Sequence, residues 1–210
     1  MSGMANAAVA SFLIEAVHKY ITGDLAGIAF LGQVGAVSGS LSGVAAAIMV
    51  PVAMGVNPVF AVAGGLACGG FGILPGFIAG YLIGLVAPYV EKYLPTGLDI
   101  VAGALIIAPL ARLIAFGADP VVNSALEMIG GTITAAADQS PIVMGFLLGG
   151  IMKMICTSPL SSMALTAMLG LTGLPMGIAA IACFGGSFTN GIIFYKMKYG
   201  NKSNVVAVML

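Results

Sequence analysis

Six polar side chains in this otherwise apolar chain are of types that bind small hydroxylated molecules. They are Asn123, Glu127, Ser158, Ser161, Ser162 and Asn190. A neutral sugar or polyol needs hydrogen-bond donors and acceptors facing a cavity, and a group that accepts a hydroxyl proton if phosphoryl transfer follows. Glu127 is the candidate catalytic acceptor, and Asn123 lies about one helical turn before it on the same face. The three serine hydroxyls and the Asn190 amide complete the candidate substrate-binding set.

Several of these residues also have a structural interpretation, which the sequence leaves open. Small residues such as serine permit tight packing between helices in a membrane. Glu127 could equally lie at the membrane interface or pair with a cation. Asp138 precedes Pro141 and is interpreted as a cap for the helix that begins there.

Two stretches with the composition of broken helices must position the candidate site. Residues 157–162 combine hydroxyl side chains with a proline, and glycines and Pro175 follow them. A similar serine and glycine pattern occurs earlier, at residues 40–49. Backbone that is broken at membrane depth must face protein or water, because its free polar groups cannot face lipid. This pattern is typical of transporters and predicts a site between related halves of the chain.

Composition predicts an all-α, multi-pass transmembrane helix bundle in the cell membrane. The chain is 60% apolar, with seven acids and seven strong bases in 210 residues and a mean hydropathy of +1.13. Too little charge remains for the surface of a soluble globule. At about 20 residues per span, the length could hold roughly six or seven crossings. Zero net charge argues against a nucleic-acid partner, and the three cysteines lack metal-ligand spacing, so we expect neither a metal nor a cofactor.

A weak internal repeat is predicted within a single transmembrane domain, residues 1–210. Residues 41–42 align with residues 160–161, and Pro58 aligns with Pro175. The repeat halves would be residues 4–95 and 119–200. Asn57-Pro58 marks the start of a helix, since proline suits the first helical turn.

Charged residues are few enough to consider individually. Glu15 and Lys19 form an i,i+4 pair that favours a helix with one polar face. Arg112 lies in an apolar segment and is expected near a membrane end or beside an acid. Three lysines follow the last long apolar segment: Lys196, Lys198 and Lys202. Their clustering predicts that this end of the segment faces the cytoplasm.

The C-terminal third carries a family resemblance. Residues 157–162, 170–175 and 185–191, together with the tail at 198–204, resemble the enzyme IIC-like membrane proteins of the bacterial sugar phosphotransferase system, in the subgroup that includes the perfringolysin regulator. The resemblance implies a homodimeric permease that binds a sugar and presents it to cytosolic phosphocarrier domains. In that family the phosphohistidine or phosphocysteine belongs to those separate domains, so the chain would be at most the sugar-translocating subunit.

Two other functions remain open at this stage. The chain is shorter than a typical enzyme IIC, and its only histidine is His18, near the N-terminus. These departures argue against phosphorylation-coupled transport more than they argue against membrane transport or sensing. The alternatives are a membrane sensor that binds a ligand without moving it, and a structural membrane subunit.

Overall fold

A computed structural model describes residues 2–94, 99–156, 166, 169, 171, 173–198, 201, 203 and 206 of this chain. Over these residues every regular element is helical. In chain order they are α1 (Ser2–Ala8), two π-helical segments π1 (Val9–Leu13) and π2 (Glu15–Leu25), α2 (Ala29–Ser40), α3 (Ser42–Ala53), α4 (Pro58–Ala67), α5 (Ile73–Tyr93), α6 (Asp99–Gln139), α7 (Pro141–Cys156) and α8 (Gly173–Lys196). The predicted all-α helix bundle is therefore confirmed.

Three helical stretches in the described part of the chain are long and apolar enough to cross a membrane. They are Ile73–Tyr93, Ile100–Ile133 and Gly173–Lys196. The pair α2 and α3 forms a fourth if it counts as one span bent by 59°. The bend lies at Leu41, inside the stretch that the sequence predicted to be broken. The related stretch at residues 157–162 lies outside the described residues.

The chain divides into two compact units, Met1–Ala125 and Leu126–Leu210. The boundary falls inside α6. The single domain and the repeat halves predicted from sequence stay predictions. Each unit is described by itself below.

In the first unit, α3 packs against α1, α4 and α5. Gly76, Gly80 and Gly84 recur every fourth residue along one face of α5. A Cβ added at Gly76 would lie 2.8 Å from the Cα of Gly43, and one added at Gly80 would lie 3.0 Å from the Cα of Ala47. The contacts advance along both helices together, so α3 and α5 run parallel with their backbones in close approach. Small residues at this spacing allow such packing in membranes.

Local sequence signals define the ends of α4. The Asn57 side chain accepts a hydrogen bond from the backbone N–H of Val59 at 2.9 Å, and Pro58 occupies the first turn. This arrangement caps the helix at its N-terminus and confirms the helix start predicted there. Phe60 is buried and belongs to the apolar core that α4 shares with α5 and α6.

A second helical pair in the first unit is formed by π2 and α2, which pack antiparallel. A Cβ at Gly35 would lie 3.0 Å from the Cα of Lys19, and a Cβ at Gly39 would overlap the Glu15 carboxylate. The Gly27 backbone, with φ of 72°, lies in the turn that reverses the chain. The polar face predicted for Glu15 and Lys19 thus packs on glycines of α2.

In the second unit, α7 and α8 form a parallel pair. Their shared core contains Leu148, Met152 and Ala179, with Ile133 of α6 packed against it. Gly149 faces residues 178 and 182, while Lys153 lies over Gly186, so the register advances in the same direction on both helices. The C-terminus of α7 and the N-terminus of α8 consequently lie at opposite ends of the pair.

Candidate functional site

The main polar contact of the second unit joins α7 to α8 through Lys153. Its ammonium Nζ donates one hydrogen bond to the carbonyl oxygen of Gly186 at 2.6 Å and another to Oδ1 of Asn190 at 2.8 Å. The side chain is partly buried. Lys153 and Asn190 therefore form a polar link between two apolar helices.

Gly186 makes this contact sterically feasible. A Cβ at this position would lie 2.6 Å from Cδ of Lys153 and 2.9 Å from its Nζ. The methylene stem of the lysine occupies the space that a side chain would fill, so its apolar part packs on α8 while its charged end reaches polar atoms. Lys153 lies in the last turn of α7. Gly186 and Asn190 are four residues apart and therefore lie on the same face of α8, where both meet the lysine.

The lysine also fixes the orientation of the Asn190 amide. An ammonium has only donors, so the atom facing it must be the amide oxygen. The NH₂ group of Asn190 then points away from Lys153. Nearby hydroxyls are engaged locally, since Ser187 and Thr189 donate to the carbonyls of Cys183 and Gly185, both at 3.1 Å.

Of the six candidate residues, only Asn190 is seen in a polar contact within the described part of the chain. Asn123 and Glu127 lie four positions apart on α6, and both are exposed. Ser158, Ser161 and Ser162 lie outside the described residues. The assignment of these six residues to one site stays a prediction.

Lys153 was not among the residues singled out from sequence, although a signal for it existed. It is the only charged residue in the 16 residues of α7. An ionisable side chain in an apolar membrane segment is by default a candidate for function, with a partner to be found. Finding that partner required α8, because Asn190 is 37 positions further along the chain.

A second cation, Arg112 of α6, meets the C-terminus of α4 in the first unit. Its Nη1 donates to the carbonyl oxygens of Ala67 at 2.8 Å and Gly69 at 3.4 Å. Its guanidinium carbon lies 5.2 Å from the centre of the Phe71 ring. The sequence predicts that Arg112 lies near a membrane end or beside an acid. The partners seen among the described residues are backbone carbonyls, which suit a cation because a helix C-terminus carries partial negative charge.

The loop that follows α4, in which Phe71 lies beside Arg112, also contacts the first turn of α3 next to the bend at Leu41. A Cβ at Gly43, in the first turn of α3, would lie 2.7 Å from the carbonyl oxygen of Gly72. The bend at Leu41 and the end of α4 thus meet in one region of the first unit. Arg112 stabilises this junction by satisfying carbonyls that the end of α4 leaves free.

An ion pair in the first unit joins Glu15 and Lys19 on π2. Lys19 Nζ lies 3.2 Å from Oε1 of Glu15. The Glu15 carboxylate raises the pKa of the Lys19 ammonium above its usual value, and hydrogen bonding to Tyr20 adds to the shift. Thr22 donates to the carbonyl of His18 at 2.9 Å.

An apolar cavity of about 260 Å³ lies elsewhere in the first unit. Its lining contains no Lys, Arg, Asp or Glu among the described residues: Ser2, Gly3, Val50, Ala53, Met54, Phe77 and Tyr81. None of the six candidate residues lines it. Its described lining, in which Ser2 and Tyr81 have the polar side chains, fits a small apolar group better than a ligand with many hydroxyls.

Comparison with known proteins identifies the family. No match was found among curated protein sequences or among solved structures. The family described as "Phosphotransferase system, EIIC" matches residues 1–210. The narrower subgroup that the C-terminal third resembles stays a prediction. Because the match covers the whole sequence and the helices are apolar and long, the chain belongs to the phosphotransferase system EIIC family and is an integral membrane component of that system.

Proposed function

We propose that this chain binds a neutral sugar or polyol within the membrane and presents it for phosphorylation by a cytosolic partner domain. The observation that carries the proposal is the Lys153–Asn190 link, which orients an amide in an otherwise apolar helix pair. The NH₂ group of the Asn190 amide is available to a ligand hydroxyl oxygen. Membership of the EIIC family supports a phosphotransferase partner and a sugar substrate.

The proposed chemistry assigns one role to each kind of polar group. As the ligand hydroxyl oxygen attacks the phosphorus of a phosphorylated partner domain, its proton passes to the Glu127 carboxylate. The bond from phosphorus to the partner residue breaks, and the partner keeps that electron pair. Asn123, Asn190 and the three serines Ser158, Ser161 and Ser162 would hold the ligand by hydrogen bonds. The protein supplies binding and orientation, and the partner supplies the phosphoryl group.

The assembly and location are part of the same proposal. We propose a homodimer that crosses the bacterial plasma membrane several times. The lysines at residues 196–202 would then face the cytoplasm, according to the positive-inside rule. The phosphorylated partner would approach from this side.

A binding assay on the detergent-purified chain tests the proposal. We expect glucose, mannose, fructose or mannitol to raise the thermal midpoint in a saturable manner, since a ligand stabilises the state that it binds. Asn190→Ala should weaken this binding. Asn201→Ala is the matched control, because Asn201 is exposed and lies beyond α8. Absence of a shift for any of these neutral compounds, in a well-folded sample, would argue against the proposal.

Glu127 is tested separately by phosphoryl transfer in membrane vesicles with the phosphorylated partner domains. Glu127→Gln should abolish sugar phosphorylation while sugar binding persists, because the amide cannot accept the hydroxyl proton. Glu91→Gln, an exposed acid near the end of α5, serves as the control. Full phosphorylation activity in Glu127→Gln would remove Glu127 from the catalytic role.

A further inference from the structure

Lys153 holds a positive charge for which the side chains that the structure describes provide no counter-ion. Both acceptors that it contacts, the Gly186 carbonyl and the Asn190 amide, are neutral. Neither α7 nor α8 contains an aspartate or a glutamate. The only ion pair among the described residues is the one between Glu15 and Lys19. A cation in an apolar helix pair is costly unless an anion accompanies it.

The donors of Lys153 and Asn190 indicate which kind of chemical group would bind there and balance the lysine charge. An ammonium has three donors, and Lys153 uses two of them in its contacts with described residues. With its oxygen facing the lysine, Asn190 offers only its NH₂ group elsewhere. The pair therefore presents donors and a positive charge, and these features match an oxyanion better than a neutral hydroxyl.

The position of the pair along α8 agrees with this chemistry. Asn190 precedes Lys196 by six residues, a rise of about 9 Å in a helix. If the end with Lys196 faces the cytoplasm, as its charge predicts, the pair lies on the side where a phosphoryl group would be added. A cation there would contact the ligand only after it has become a phosphate ester.

We infer that Lys153 and Asn190 form an oxyanion-binding site that holds the phosphoryl group of a sugar phosphate. This inference rests on the proposed function, since it concerns the phosphorylated form of the same class of ligand. Lys153 acts as a binding residue for the anionic form, and Asn190 contributes to binding both forms. The site would make the protein prefer the phosphate ester to the parent sugar.

The test measures the dissociation constants of the full chain in detergent by calorimetry. The probes are glucose, mannose, fructose and mannitol, the corresponding phosphate monoesters, and inorganic phosphate. We expect at least one ester to bind about tenfold more tightly than its parent compound, the size of one charge-assisted hydrogen bond. Lys153→Met should reduce this preference to less than about twofold.

Two further variants isolate the charge from the packing. Asn190→Asp would place a carboxylate on the ammonium, so it should lose the preference for esters while keeping the link between α7 and α8. Lys196→Met removes a positive charge from α8, the helix that carries Asn190, and should retain the preference for esters. If Lys153→Met does not fold, Asn190→Asp still tests the inference.

Each outcome separates the inference from the proposed function. Binding of a neutral sugar without preference for its ester, or a preference that survives in both Lys153→Met and Asn190→Asp, would overturn the oxyanion site and leave the permease proposal standing. Binding of an ester that depends on Lys153, without binding of any neutral compound, would support the site and contradict the permease proposal. Equal affinity for inorganic phosphate and for the esters would overturn the assignment to a sugar phosphate.

Discussion

The helix pairs α3/α5 and α7/α8 have the same direction but are held together differently. Both are parallel, and both lie within apolar surroundings. In α3/α5 the glycines at 76 and 80 bring backbone against backbone, while Gly84 faces the side chain of Met54. In α7/α8 the close approach at Gly186 is filled by the lysine stem, and two hydrogen bonds complete the link.

This difference separates a structural contact from one that can respond to a ligand. Between membrane helices there is little hydrophobic driving force, so dispersion contacts and hydrogen bonds provide the attraction. A glycine contact has no polar side-chain atom that a ligand could engage. Within the part of the second unit that the structure describes, the Lys153–Asn190 link has donors left over, and an anion could share them without separating the helices.

The largest expected effect comes from Gly76→Ala in α3/α5. The added methyl group would overlap the backbone of Gly43, which cannot move aside without shifting α3. We expect a loss of about 3 kcal/mol in the free energy of unfolding, at the upper end of overpacking costs. Unfolding in mixed micelles with increasing dodecyl sulfate would measure it.

Gly177→Ala in α8 is the control for this experiment, because a Cβ there would meet none of the described atoms within 4 Å. It should leave stability unchanged or raise it slightly, since alanine favours a helix over glycine. Equal losses in the two variants would show that the backbone contact of α3/α5 does not distinguish the pairs.

The second-largest effect is expected when the Lys153–Asn190 link loses only its acceptor, Asn190. Asn190→Leu leaves the Lys153 ammonium without its side-chain acceptor and should cost about 2 kcal/mol, because an unpaired charged donor is more costly than a lost neutral bond. The double variant Lys153→Met/Asn190→Leu replaces both partners with apolar groups and should recover most of this loss. Unfolding of the single and double variants in the same micelles would form the cycle.

No recovery in the double variant would mean that Asn190 stabilises the pair by packing alone. Lys153→Met by itself provides the remaining corner of the cycle. We expect it to change stability less than Asn190→Leu does, because it leaves a neutral amide rather than a charge unpaired.

A smaller effect is expected for Gly186→Ala. The new methyl group would meet the end of the Lys153 side chain, at 2.6 Å from its Cδ, and this flexible side chain can move. We expect a loss of about 1 kcal/mol, the low end of overpacking costs. The comparison with Gly76→Ala is direct, since both add one methyl group. A loss as large as that of Gly76→Ala would show that the Lys153 side chain yields no more easily than the Gly43 backbone does.

The smallest effect is expected for Arg112→Gln. The variant removes the positive charge and shortens the side chain that bonds to the Ala67 carbonyl. Because Arg112 is exposed, we expect a loss of only about 0.5 kcal/mol, typical of a cation at a helix C-terminus. Arg112→Lys should lose less, since it keeps the charge. Equal unfolding curves for the wild type, Arg112→Gln and Arg112→Lys would show that the contact does not stabilise α4.

The sequence by itself determined the class of the protein and several local features. Its apolar composition predicts membrane helices, because no soluble surface could be built from so few charges. Asn57-Pro58 begins α4 through a capping bond that spans two residues. The break at Leu41 falls within the serine and glycine stretch expected to interrupt a helix. The glycines at four-residue spacing in α5 were equally visible, although their partner helix was not.

Tertiary structure alone decided which polar groups of different helices meet. Arg112 could be paired with an acid in principle, but the fold brings it to carbonyls 45 and 43 positions earlier in the chain. Lys153 finds Asn190 only because α7 and α8 run parallel in one register. Helical periodicity gives the face on which a residue lies. It does not give the neighbouring helix, because in lipid many apolar faces pack almost equally well and the choice depends on detailed contacts.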